Sequence, residues 1–127
     1  IFFRQQRSAA GPVLEISMQE KLMGSVKDFV LKNLHEENLG IAGAAAQVNL
    51  SPDYFRKFFK KVTGENFAEY LNRVRVEKAK ELLQTTNKRI TEIAFEVGYS
   101  SLEYFNKVFK DSTEMNPTDF RKKNYKA

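Results

Sequence analysis

The sequence contains no cysteine and no tryptophan, and His35 is its only histidine. Without cysteine the chain has no disulfide, no thiolate metal site and no cysteine nucleophile. One histidine provides no multi-histidine metal cage, and no Ser/His/Asp set or carboxylate cluster with metal-ligand spacing is present. We therefore expect no catalytic residues, no metal and no cofactor, and we expect that the protein is not an enzyme.

Long apolar runs are also missing. None approaches the roughly 20 residues that a membrane helix needs, so we expect a cytoplasmic location, although a full-length protein could be membrane-anchored. No alternating apolar and polar run has the length of a strand, and the few glycines and prolines stand mainly at helix boundaries. The sequence therefore predicts an all-α fold.

The composition is basic and rich in aromatic residues. Lys and Arg number 21 against 16 Asp and Glu, which gives a net charge of +5. A hydrophobic content of 42%, with 11 Phe and 5 Tyr, is enough for a core. A chain of this length forms one compact domain or two small subdomains. The charge is compatible with a polyanionic partner and equally with an ordinary basic protein.

Residues 1–16 show no stable periodicity and include Ser8-Ala9-Ala10-Gly11-Pro12, which is typical of a linker or tail. For Ile1-Phe2-Phe3 we favour a frayed chain end over the remnant of a preceding secondary-structure element. Because the chain begins at Ile1 and not at Met, we expect that it was cut from a longer protein, with a sensor or receiver domain missing on the N-terminal side.

Seven helices are predicted from residue 17 onward. Helix 1 begins at the capping box Ser17–Glu20 and buries a stripe of apolar residues. The others are placed by their caps as follows: helix 2 at 41–48; helix 3 from Ser51 and Pro52 to Gly64; helix 4 from Asn66, with Glu69 at its third position, to about Leu83; helix 5 at 90–97; helix 6 from Ser100 or Ser101, with Glu103 in capping-box register to Ser100; and helix 7 from Asn116-Pro117 into the basic tail.

An internal repeat organises these helices. With a shift of 50, Tyr54-Phe55 aligns with Tyr104-Phe105 and Phe59-Lys60 aligns with Phe109-Lys110, whereas upstream of the turn the shift is 49. Each copy consists of a short helix, a turn of three to four residues and a longer helix. The sequence therefore predicts two helix-turn-helix subdomains joined by a long linker helix.

The motifs of the two copies resemble one known family. Its first unit is resembled by Phe59-Lys60-Lys61-Val62-Thr63-Gly64 with Tyr70-Leu71, Arg75, Ala79 and Leu82-Leu83. Its second unit is resembled by Ile93-Ala94, Val97-Gly98-Tyr99, Tyr104-Phe105, Phe109-Lys110 and Asn116-Pro117 through Phe120-Arg121. The family is the C-terminal domain of the AraC/XylS bacterial transcription regulators, and the similarity covers about Met18 to Lys123. The chain departs from it at Glu114, where Gly is usual, at Asn116 and at Ala44.

The resemblance implies sequence-specific binding of double-stranded promoter DNA by residues 17–127, with the first unit at 17–66, the linker helix at 67–84 and the second unit at 85–127. RNA polymerase is a further expected partner, together with activator function and a dimer formed through the missing region. A linker helix of about 18 residues at about 1.5 Å per residue is roughly 27 Å long. We expect the two recognition helices to lie about one DNA turn, near 34 Å, apart and to bend the DNA modestly.

Helical spacing gives each second helix an apolar face and a polar face. The apolar faces consist of Phe55, Phe58, Phe59 and Val62 in helix 3, and of Phe105, Val108 and Phe109 in helix 6. The polar faces are expected to read bases in the major groove, because Arg and Lys suit guanine, Asn suits adenine, and Asp and Glu accept from cytosine. The predicted base-reading residues are Asp53, Arg56, Lys57, Lys60, Glu103, Asn106 and Lys107. The predicted phosphate-binding residues are Ser51, Lys61, Thr63, Lys88, Arg89, Ser101 and Lys110. A merely solvated charged face is the alternative for each helix taken alone.

The aromatic residues of these helices are expected in the core: Tyr54, Phe55, Phe59, Tyr104, Phe105 and Phe109. We expect His35 on the surface. Arg75 falls on the inward side of helix 4, where we expect it in a structural ion pair. Two other functions remain open, a helical protein–protein interaction module with a basic face and an enzyme accessory or nuclease-like domain.

Overall fold

The computed structural model describes the backbone of residues 4–126 and the side chains of residues 16–126. Over these residues the chain is all-α and has no strand, as predicted. The described helices are α1 (Arg4–Lys32), α2 (Ile41–Gln47), α3 (Pro52–Thr63), α4 (Phe67–Thr85), α5 (Ile90–Glu96), α6 (Leu102–Thr113) and α7 (Pro117–Asn124). The residues Ile1-Phe2-Phe3, for which a frayed end was favoured, lie outside the described part.

The predicted start of helix 1 is wrong. α1 begins at Arg4, so residues 4–16 of the predicted linker are helical and Ser17 lies inside the helix, where it caps nothing. The sequence prediction gave decisive weight to Gly11-Pro12, but the neighbouring Arg, Gln and Ala residues are strong helix formers. Once a helix is nucleated, each added residue gains one hydrogen bond. The role of residues 1–16 as a connection to another domain stays a prediction.

Side-chain caps fix most of the other helix starts. Ser51 accepts a hydrogen bond from the Tyr54 N–H at 3.2 Å, and Asn66 and Glu69 form a reciprocal capping box at the start of α4. At α6 it is Ser101 that accepts from the Tyr104 N–H, at 3.1 Å. The alternative box of Ser100 with Glu103 is therefore wrong.

Two hydrophobic clusters make up the core, and α4 contributes to both. The first cluster joins α1, α2 and α3 to the first half of α4 and includes the fully buried Phe55 and Phe59. The second joins α5 and α6 to the second half of α4, includes the fully buried Phe105 and Phe109, and has Phe120 of α7 packed against it. We call the two halves unit 1 and unit 2. The predicted architecture of two helix-turn-helix subdomains on a shared linker helix is confirmed.

The turns inside the two units use residues that tolerate a left-handed backbone. Asn49 has a φ of 59° and Gly98 a φ of 104°, so the chain reverses between α2 and α3 and between α5 and α6 with little steric cost. Among the described residues, no helix combines the length and the apolar character needed to cross a membrane.

Candidate nucleic-acid interface

The helices α3 and α6 are built alike at both ends. Each starts at a serine cap and ends at a residue in the left-handed conformation, Gly64 with a φ of 83° and Glu114 with a φ of 66°. The hydroxyls of Thr63 and Thr113 each donate to the carbonyl four residues earlier at 2.8 Å. The repeat seen in the sequence is therefore reproduced at the level of single hydrogen bonds.

The outward face of α3 is strongly cationic. Phe55, Phe58 and Phe59 face the core, so the polar residues of the helix are left on the opposite side. These exposed residues are Asp53, Arg56, Lys57, Lys60 and Lys61, four cations and one carboxylate. Arg56 forms an exposed ion pair with Asp53 at 2.8 Å. Among the described side chains, no carboxylate lies within ion-pair distance of the three lysines.

The outward face of α6 has no net charge. Glu103, Lys107, Lys110 and Asp111 are exposed, two cations and two carboxylates, and Lys107 pairs with Asp111 at 3.2 Å. Asn106 is half-buried at the edge of this face and helps to line a shallow hollow. The two units therefore present the same helix geometry with very different electrostatics.

The outward face of α6 adjoins one side of α4. Tyr104, Lys107 and Asp111 line a recess of about 670 Å³ together with α4 residues that include Asn72 and Arg73. Arg73 also pairs with Glu65 at 2.6 Å, next to the end of α3. A continuous polar surface therefore runs from the end of unit 1 to the second helix of unit 2.

The serine caps can serve a second purpose. Ser51 and Ser101 are exposed and accept a hydrogen bond from a backbone N–H. A serine that accepts still has its own O–H to donate, and the start of a helix carries a partial positive charge that favours anions. Each hydroxyl can therefore donate a hydrogen bond to an anion at the start of its helix.

Of the remaining residues predicted to bind phosphate, Arg89, Lys61 and Lys110 are exposed. Lys88 is exposed but pairs with Glu96 at 2.6 Å. Thr63 differs from these, because it is half-buried and its hydroxyl both donates to the Phe59 carbonyl and accepts from the Glu65 N–H. The geometry gives Thr63 the role of ending α3.

The prediction that Tyr54 and Tyr104 belong to the core is wrong, since they are 58% and 50% exposed. Each precedes a fully buried phenylalanine by one residue, and one residue turns a helix by about 100°, so the tyrosines stand at the edge of the apolar face. The sequence could have predicted this exposure, because position 54 lies outside the apolar set formed by residues 55, 58 and 59.

Two arginines hold the loops that lead into the short helices. Arg75 is buried as expected, but it donates to the Glu36 carbonyl at 2.7 Å, so the predicted ion pair is wrong. Arg121, expected only as part of a basic tail, donates to the carbonyls of Leu83, Thr86 and Lys88 at 3.1, 3.1 and 2.7 Å. Because backbone carbonyls leave no trace in the sequence, no pattern could have predicted these bonds.

The other expectations concern residues outside this face. His35 is exposed and lies 3.3 Å from the Glu36 carboxylate, so its surface position is confirmed. Val62, expected on the apolar face of α3, is 36% exposed. Among the described residues, no group of His, Asp and Glu side chains could hold a metal ion.

Comparison with known proteins gives consistent similarities. Residues 44–123 match a family model described as a helix-turn-helix domain. The chain is 35% identical over 124 residues to the transcriptional regulatory protein YesN of Bacillus subtilis, a match that covers 95% of this chain and 33% of YesN. The chain thus spans about a third of the length of this curated relative, and 36% of the regulatory protein PocR of Salmonella typhimurium.

Solved structures agree with this match. The C-terminal domain of AraT, a response regulator from Geobacillus stearothermophilus, is 30% identical with a TM-score of 0.78, over 84% of this chain and 88% of that one. The DNA-binding domain of the global transcriptional factor AdpA, solved in complex with a target DNA, is 26% identical with a TM-score of 0.74, over 79% of this chain and 89% of that one.

Proposed function

Because the chain belongs to the AraC/XylS family of helix-turn-helix proteins, we propose that it is the DNA-binding domain of a bacterial transcription regulator. In this proposal α3 and α6 enter adjacent major-groove segments of a promoter. The observation that carries it is the duplication of one helix-turn-helix unit whose second helix buries phenylalanines and exposes polar side chains. A polar helix face of this kind fits the major groove, where each base pair presents a distinct set of donors and acceptors.

The division of labour follows from exposure and charge. Arg56, Lys57 and Lys60 of α3 and Lys107 of α6 are exposed cations suited to guanine, and Asp53 and Glu103 are carboxylates suited to cytosine. Asn106 reaches a base only at the edge of the α6 face. Phosphate contacts are assigned to Ser51, Lys61, Lys88, Arg89, Ser101 and Lys110.

The rest of the regulator is part of the same proposal. Relatives such as YesN are about three times longer than this chain, which supports an N-terminal sensor or receiver domain that controls DNA binding. A dimer formed through that region, contact with RNA polymerase, activator function and a cytoplasmic location are further proposals. We assign no catalytic step to the chain.

Selection from a random pool tests the function. Duplexes retained by the chain are enriched and sequenced, and their affinity is compared with that of an unselected duplex in the presence of competitor DNA. We expect one enriched sequence with two conserved segments about one helical turn apart. Three to four cationic phosphate contacts would give a slope of about −3 in log K against log salt. Enrichment of no sequence would contradict the proposal, and salt-sensitive binding without selectivity would favour a general basic module.

A further inference from the structure

Arg75 lies where the two hydrophobic clusters meet on α4. The first cluster ends at Leu71 and the second begins at Val76. Among the described side chains Arg75 is the one charged group that is buried, with 6% exposure. A buried guanidinium is costly unless it is hydrogen-bonded, so its partners decide what it does.

Those partners come from both units. Nη2 of Arg75 donates to the carbonyl of Glu36, in the loop between α1 and α2 of unit 1, at 2.7 Å. The guanidinium carbon lies 5.5 Å from the ring centroid of Tyr99, in the turn of unit 2. One planar group therefore contacts a loop of unit 1 and a turn of unit 2 at once.

The backbone also closes this contact. A Cβ built on Gly98 would lie 2.3 Å from the carbonyl oxygen of Leu34 and 2.7 Å from the guanidinium carbon of Arg75. Gly98 therefore satisfies two demands, a left-handed turn and a close approach of unit 2 to unit 1. The Tyr99 hydroxyl donates to Oδ1 of Asn72 on α4 at 2.7 Å and so fixes the turn to the linker helix.

The surroundings leave the charge partly uncompensated. Burial lowers the pKa of Arg75, and Tyr99 and Glu37 offset only part of that effect. Its Nε has no hydrogen-bond partner. Among the described side chains, the one buried cation with an unsatisfied donor therefore lies between unit 1 and unit 2. An apolar side chain could fill the same space, but it could neither donate to the Glu36 carbonyl nor make the cation–π contact with Tyr99. This points to a role in fixing how the two units lie relative to each other.

We propose that Arg75 is a positioning residue that fixes the placement of α6 relative to α3, and that it thereby makes the protein accept only one spacing between two DNA segments. Arg75, Gly98 and Tyr99, with the carbonyls of Leu34 and Glu36, form what we call the junction. The spacing requirement rests on the proposed DNA-binding function, whereas the rigid placement of the two units does not.

Arg121 provides a matched control. Like Arg75 it lies on the helix that follows a helix-turn-helix pair and donates to carbonyls of the loop before that pair. Its partners, however, all lie on α4 and the α4–α5 loop, within the half that unit 2 forms. Loss of Arg121 should weaken unit 2 but should leave the placement of the two units unchanged.

Distance measurement between the units tests the placement without any DNA. Because the chain contains no cysteine, Gln47→Cys in α2 and Thr91→Cys in α5 attach two spin labels at exposed sites without further substitutions. We expect a narrow distribution of label distances in the parent chain and in Arg121→Ala, and a broad one in Arg75→Met, which keeps an apolar stem of similar length. A distribution that stays narrow in Arg75→Met would overturn the proposal.

Gly98→Ala keeps the placement testable if Arg75→Met does not fold. Its methyl group cannot remain 2.3 Å from the Leu34 oxygen, so the two units must separate. We expect a shifted mean label distance, and an unchanged mean with a folded circular dichroism spectrum would count against a rigid junction.

The DNA arm uses the duplex enriched by selection and the same duplex with one base pair inserted between its two segments. The parent chain should lose on the order of tenfold in affinity through the insertion, about 1.4 kcal/mol, and Arg75→Met should lose less than threefold. Equal losses would refute the spacing role. If no duplex is enriched, the proposed function fails, while the label distances still decide the placement.

Discussion

Replacing Arg56 with Ala should separate base reading from phosphate binding in unit 1. Arg56 lies in the second turn of α3 on its exposed face, and its guanidinium is held by Asp53 at 2.8 Å. A bidentate contact with guanine contributes about 1–3 kcal/mol of discrimination, which corresponds to roughly 5- to 150-fold in affinity.

The ion pair with Asp53 reduces the net free energy that Arg56 gains from a base contact, because the pair must break first. The side chains of Arg56 and Asp53 are 54% and 88% exposed, and exposed pairs contribute at most about 1 kcal/mol because water and salt screen them. Breaking the pair to reach a base therefore costs less than a good base contact returns. A contact in the middle of that range, about 2 kcal/mol, less about 1 kcal/mol for the broken pair leaves about 1 kcal/mol, so we expect Arg56→Ala to weaken binding to the selected duplex by about fivefold.

Lys61→Ala is the matched control on the same helix. It removes one exposed cation that has no ion pair among the described residues, and it should weaken selected and random duplexes alike and reduce the salt slope by about 0.9. Fluorescence anisotropy titrations at several salt concentrations measure both quantities. Equal losses on the two duplexes for Arg56→Ala would refute its assignment as a base-reading residue.

Three further predictions concern the end of α6, its charge and the junction. Glu114→Gly should stabilise the domain by about 1 kcal/mol in urea unfolding, because Glu114 holds a φ of 66°; Gly64→Glu at the equivalent position should destabilise it similarly, and an unchanged midpoint in both would exclude strain. Asp111→Asn removes the carboxylate that pairs with Lys107 and should tighten binding to any duplex by about 1 kcal/mol, roughly fivefold at low salt. An unaltered affinity for random DNA would place this edge of α6 away from the phosphates. Burial raises the pKa of Tyr99 to about 12. The stability that the neutral Tyr99 hydroxyl contributes is therefore complete below the usual tyrosine pKa of about 10 and is lost as the pH rises to about 12. Tyr99→Phe should reduce this alkaline loss of stability in urea unfolding, and a pH profile identical to that of the parent chain would contradict the prediction.

The sequence predicted local structure well where local chemistry decides it. Ser51, Asn66 and Asn116 cap the helices that they were expected to cap, because a capping side chain bonds within three residues of itself. Glu114, at the position where the family has Gly, adopts the left-handed conformation. The error at Ser100 arose because two adjacent serines could cap α6, and Ser101 does so. The error at Ser17 arose because the helix-forming residues before it extend α1 back to Arg4.

Tertiary contacts lay beyond the sequence for a different reason. Helical spacing predicts which residues are buried, but it does not predict which backbone atoms they contact. Arg75 was correctly expected on the inward side of α4 and wrongly expected beside a carboxylate, because the Glu36 carbonyl, 39 residues away along the chain, accepts its hydrogen bond. Tyr54 and Tyr104 were misplaced because aromatic residues are usually buried, a general preference that their angular position on the helix overrode.

The unequal charge of the two units gives the junction its importance. The four cations of α3 can hold unit 1 on a polyanion, whereas the balanced charges of α6 give unit 2 little affinity of its own. A weak second module contributes when a rigid connection holds it at high effective concentration over its own segment, and that benefit disappears once the geometry is wrong. Arg75 and Gly98 would provide such a connection through contacts that unit 2 makes with unit 1. Loosening the junction should therefore cost little on random DNA, where α3 dominates, and should cost most on a duplex whose two segments have the correct phase.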